Sequence, residues 1–165
     1  MQALVGSNKE SRVVLDVLGP TVEFLVLPSE SAAGYCVVKG TIPPGVSVPL
    51  HSHPDDESFF LVSGSVQALE ERKGGFEWTN MNAGDFRHVP GGASRLENQS
   101  NEPALAIIVT TSRLGGFFQE GGRPVAANPP PPSPAEIYRF AEVAARYHHW
   151  LASPEENAAV GIKLL

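Results

Sequence analysis

Residues 51 to 57 read HSHPDDE and set two of the chain's five histidines beside three acidic side chains. Residues two apart on a strand face the same way, so His51 and His53 present their imidazoles together. Pro54-Asp55-Asp56 reads as a turn that returns Glu57 to the same place from the start of the next strand. Two imidazoles and one carboxylate suit divalent iron, manganese, nickel, copper or zinc. The plainer reading is a solvated hairpin end, and an isolated H-x-H favours it. The flanking Leu50, Phe59, Phe60, Leu61 and Val62 point to a drier setting.

The elements that must position this group are short. RVVLDVL (12 to 18), TVEFLVL (21 to 27) and YCVVKGTI (35 to 42) are apolar or alternating runs bounded by Gly and Pro. VSVPLHSH (46 to 53) alternates, with His51 and His53 on one face. SFFLVSG (58 to 64), SVQALEE (65 to 71), FEWTN (76 to 80), FRHVP (86 to 90), SRLEN (94 to 98) and ALAIIVTTS (104 to 112) follow. About ten strands at such spacing, with no helical crossover among them, predict an all-β sandwich or barrel. After Arg113 the composition shifts, and LGGFFQEGGRPVAANPPPPSP reads as a Gly- and Pro-rich connector. Ser133-Pro134-Ala135-Glu136 is a capping-box signal for an amphipathic helix from 134 to about 151, and Ser153-Pro154-Glu155-Glu156 announces a last short one. The expected division is a β-barrel over 1–112 and an extension over 113–165 that packs on it or on a second subunit.

The spacing of the histidine motif resembles the cupin family. The first family motif, G-x5-H-x-H-x3-4-E-x6-G, is filled by Gly45, His51, His53, Glu57 and Gly64. The second, G-x5-P-x-G-x2-H-x3-N, keeps Gly84, Pro90 and Gly92, but Arg95 stands where the family has histidine and Gln99 where it has asparagine, with Asn98 adjacent. The resemblance covers about residues 35 to 112 and implies a double-stranded β-helix (jelly roll). It is to small single-domain bacterial cupins of the cupin 2 type, similar to quercetin dioxygenase-like members. It implies His51, His53 and Glu57 as metal ligands and, by analogy, a homodimer.

The fourth ligand does not carry over, because a guanidinium stays protonated and offers no lone pair. Three arrangements stay open. In one, metal binds to His51, His53 and Glu57 alone, with water or substrate in the open positions, and Arg95 binds an anionic group of the substrate. In the second, His88 replaces the missing ligand, against the blander reading of an outward-facing strand residue. In the third no metal binds, and Arg95 pairs with Glu57. The functional expectations follow. One is a metal-dependent oxygenase (dioxygenase-like, an oxidoreductase) or isomerase acting on a small organic substrate, with Glu57 also available as a base. The other is a non-catalytic cupin holding a small anion through Arg95.

Other groups carry less. Cys36 and Tyr35 read as ordinary strand residues, Gln67 as cavity-lining or solvent-facing, and Phe59, Phe60, Phe86 and Trp78 as core or interface. His148 and His149 point about a hundred degrees apart on a helix and do not chelate together; a place near the helix C-terminus accounts for them. No P-loop, nucleophile elbow or dinucleotide fingerprint is present.

Composition closes off other classes. The hydrophobic share of 42% predicts a packed core, and the net charge of −6 without any basic run predicts no nucleic-acid or anionic-membrane partner. One cysteine, Cys36, excludes an internal disulfide. The start, MQALVGSNKESR, lacks the pattern of a secretion signal, and a cytoplasmic protein is expected.

Overall fold

Alternating strand sequences here pair with one another antiparallel into open sheets. The computed structural model describes residues 12–73, 75–94, 96–127 and 129–162. The reading of the N-terminal residues and the role given to Arg95 fall outside them. The strands are β1 (Val14–Asp16), β2 (Thr21–Val26), β3 (Tyr35–Ile42), β4 (His51–His53), β5 (Glu57–Ser63), β6 (Ser65–Arg72), β7 (Gly75–Asn82), β8 (Phe86–Val89), β9 (Gly92–Ser94), β10 (Leu96–Glu97), β11 (Ala104–Thr111), β12 (Arg123–Pro124) and β13 (Trp150–Leu151). The helices are α1 (Ser112–Gly121), α2 (Pro134–Arg146) and α3 (Pro154–Ala159).

Seven strands form one sheet in the order β12-β1-β2-β3-β11-β5-β8; β10-β6-β7 and β13-β4-β9 form two smaller ones. This is the expected all-β jelly roll with helices toward its C-terminus. Period-two alternation decides which side chains enter. Glu57, Phe59 and Leu61 of β5 are buried, while Phe60 and Val62 are exposed. Val22, Phe24, Cys36, Val38, Phe59 and Ile108 form one core cluster, and Leu61, Val66, Ala68, Met81 and Ala104 a second. Between them lies an apolar cavity of about 30 Å³, room for roughly one water-sized sphere and without polar groups to hold one. Gly64 makes the β5–β6 turn at φ +77°, where an added Cβ would stand 2.8 Å from Ala104 Cα.

Two expectations about the C-terminal third are corrected. The segment after Thr111 begins as a helix, α1, and not as an irregular connector. Thr111 caps it by accepting from Leu114 N, and Leu114 and Phe117 bury one face against Val143 and Ala144 of α2. Packing overrides the poor helix propensity of the Gly115-Gly116 pair. The second correction is the end of α2, which stops at Arg146, five residues before the expected end at about 151. His148 adopts φ +61°, which breaks the helix and lets the chain continue as the short strand β13.

Candidate functional site

Strand β4 carries His51 and His53, and the Pro54-Asp55-Asp56 turn delivers Glu57 as the first residue of β5. The two imidazoles stack with ring centroids 5.6 Å apart. His51 Nδ1 lies 2.8 Å from the Pro49 carbonyl. A carbonyl only accepts, so Nδ1 carries the proton and Nε2 keeps its lone pair. His53 Nε2 stands 3.3 Å from Glu57 Oε2, and both side chains are buried. Burial depresses the His51 pKa. It also opposes charge on His53, but the hydrogen bond to Glu57 and the fields of Glu57 and Asp55 outweigh it and raise that pKa. The His53–Glu57 pair thus holds a proton where a cation would compete for the same two atoms.

Asp55, read from sequence as a turn residue, is buried behind His53. Its Oδ1 accepts from Thr111 Oγ1 and, at 3.0 Å, from Arg113 Nε. Burial works against its charge, and these two partners overcome that and lower its pKa. Its Oδ2 faces His53 Nδ1 at 3.8 Å and His149 Nε2 at 4.0 Å. His149 arrives from the C-terminal segment: β13 pairs Trp150 with Ser52 and Leu151 with His51, so the preceding residue stands across from His53. Their rings are 5.0 Å apart, and Phe117 of α1 backs His149 at 4.2 Å. Burial, then His53 and His51, push the His149 pKa down to about 4.

Of the sequence candidates, His53 stands 3.3 Å from Glu57 and stacks on His51 at 5.6 Å. His88 does not: it lies exposed on the outer face of β8, hydrogen-bonded to Ser58 at 3.0 Å, while Val89 pairs with Glu57. Strand parity turns it away from the group. Gln67 bonds to exposed Asn80 beside a polar surface groove and does not line the core. Cys36 is fully buried, its thiol pushed up to about 11 by burial and by Glu57. Asn98, beside the family's asparagine position, is structural: its Nδ2 donates to the Ile42 and Glu102 carbonyls. Sequence reading missed Asp55 and His149. The signal for Asp55 was an acid two residues after a ligand-type histidine; His149 had none until the end of α2 was known.

As they stand, no three His, Cys, Asp or Glu side chains among the described residues are grouped tightly enough to count as a formed cation site. The donor types nevertheless fit a divalent transition metal. With its proton on Nδ1, His51 offers the Nε2 lone pair, and His53 Nε2 and Glu57 Oε2 face each other in a buried setting.

The pattern of the family described as Cupin domain matches residues 38–110, the stretch from β3 through β11. These residues are similar to a cupin domain, and the match covers a little under half of the chain. No match emerged among curated proteins. Solved structures agree on the fold. The polyketide cyclase RemF from Streptomyces resistomycificus aligns at TM-score 0.57 with 14% identity, over 87% of this chain and 99% of that one. A sugar phosphate isomerase of the cupin superfamily from Silicibacter pomeroyi aligns at 0.51 with 19% identity, over 63% and 73%. A double-stranded β-helix protein of unassigned function from Klebsiella pneumoniae aligns at 0.50 with 21% identity, over 67% and 91%. At these identities the cupin neighbours speak for architecture. None of the helices among the described residues is long and apolar enough to cross a membrane.

Proposed function

We propose that this cupin binds a divalent transition metal through His51, His53 and Glu57 and acts on a small organic substrate, as a dioxygenase-like oxidoreductase or an isomerase. The observation that carries the proposal is the pairing of His53 Nε2 with buried Glu57 Oε2 beside a His51 whose tautomer leaves Nε2 unprotonated. When bound, the metal supplies Lewis acidity and, if it is iron, manganese or copper, electron transfer with dioxygen. The residues supply the rest. The Pro49 carbonyl fixes the His51 ring. The apolar core beneath keeps water scarce, which strengthens every charge interaction at the site. Glu57, in reach of His53, can hold or pass a proton when it leaves the metal. Arg95 is assigned to an anionic or enolic group of the substrate.

Metal analysis of purified protein beside a His51→Ala/His53→Ala variant tests this. The expected result is near-stoichiometric transition metal in the wild type and little in the variant. Equal, negligible content in both would reject it and favour the metal-free reading, in which His53 keeps its proton against Glu57 and Arg95 binds a small anion.

We also infer a cytoplasmic homodimer. The outer face of the large sheet exposes Phe60, Val62, Phe86 and Val109, with Phe60 paired directly to Phe86 across β5 and β8. A second copy of this face is the occupant we assign to it.

A further inference from the structure

Four buried side-chain nitrogen or oxygen atoms among the described residues lack a hydrogen-bond partner, and three of them face one another: His53 Nδ1, Asp55 Oδ2 and His149 Nε2. They belong to three segments with independent reasons for being there. His53 is fixed by β4 between β9 and β13. Asp55 is anchored through its other oxygen by Thr111 and Arg113 at the start of α1. His149 is brought in by the β13 register and backed by Phe117. The separations of 3.8 Å and 4.0 Å exceed a hydrogen bond, and a shift of about 1 Å at Oδ2 closes them. The carboxylate oxygen has two lone pairs, enough for two N–H donors at once.

We propose that Asp55 is the positioning residue of His53, accepting the Nδ1 proton so that Nε2 offers its lone pair to the site, and that His149, from outside the cupin match at residues 38–110, holds Asp55 in that role. The inference rests on the metal-binding reading given above, because it makes His53 Nε2 a ligand atom. A ligand histidine works best when its far nitrogen donates to a carboxylate, which sets the tautomer, holds the ring and raises its basicity. Asp55 is placed for this on the side of the ring away from Glu57. His149 and Arg113 then share the charge of Asp55 between its two oxygens. The C-terminal segment becomes a part of the site and not merely its cover: if β13 detaches from β4, Asp55 loses the clamp on Oδ2 and keeps only Thr111 and Arg113 on Oδ1.

The test uses the full chain, with Zn2+ affinity measured by competition against a chromophoric chelator and ring 15N spectra recorded for His53. Asp55→Asn, close in shape, guards against loss of fold in Asp55→Ala, and circular dichroism checks both. Replacing Asp55 is expected to weaken Zn2+ by about 10–100-fold and to shift the His53 proton away from Nδ1. His149→Ala should weaken it less, and His149→Gln, which keeps an N–H donor, should recover most of that loss. Folded Asp55→Asn and His149→Ala proteins with wild-type Zn2+ affinity and an unchanged His53 spectrum would overturn the proposal. If the wild type itself binds no Zn2+, the ligand reading fails, and the spectra alone decide. A His53 proton that moves in Asp55→Asn sustains the positioning role, and one that stays put ends it.

Discussion

His53 has a carboxylate at each ring nitrogen, Glu57 at one and Asp55 at the other, in a place with almost no solvent. The Glu57 contact is within reach of a hydrogen bond; the Asp55 contact is not yet one. Each buried polar atom left unpaired costs about 1–3 kcal/mol, so three together are an unlikely accident of packing. Cys36 shows the opposite case. Its thiol is enclosed, and its pKa near 11 keeps it protonated at neutral pH. It should therefore resist a thiol reagent at pH 8 in the native protein and react at once after unfolding. Rapid native labelling would show that the α1–β3 contact opens readily.

At the scale of elements, α1 is the test of packing against propensity. An added Cβ at Gly115 would stand 2.6 Å from Pro28 Cγ and 2.7 Å from Cys36 Sγ. Overpacking of this kind costs about 1–3 kcal/mol, more than the gain of up to about 1 kcal/mol from replacing a helical glycine. Gly115→Ala should lower the Tm, and a Tm equal to or above wild type would contradict the packing account. Glycine for close approach is also why α1 was not legible: in sequence, Gly115-Gly116 looks like a connector, and only contact with β3 explains it. The strands were legible because alternation is local; β3 at 35–42 and β8 at 86–89 match the readings closely. VSVPLHSH kept only His51–His53 as strand, with a lone bridge from Ser47 to Glu97. The His51–His53 stack and the His53–Glu57 contact were legible because both strand parity and the motif spacing pointed to them. Asp55 and His149 were not, since one depends on how a turn folds back and the other on where α2 ends.

At the scale of the whole molecule, the C-terminal third does more than cover the jelly roll. Asn157 of α3 accepts from Leu50 N at 2.9 Å and donates to the Ala152 and Ser153 carbonyls, tying the last helix to the start of β4. Arg123 joins Asp16 of β1 to Glu136 of α2. The exposed apolar face of β5, β8 and β11 is the surface proposed above to receive a second copy. Light scattering at micromolar concentration should give the mass of two chains, and a Phe60→Lys/Phe86→Lys variant the mass of one. A wild-type monomer would remove the dimer from the account. Metal binding at His51, His53 and Glu57 is decided most directly by a crystal soaked in Mn2+ and measured for anomalous scattering. A peak is expected within bonding distance of His51 Nε2, His53 Nε2 and Glu57. Saturating Mn2+ with no peak there, or a peak only at other residues, would contradict it.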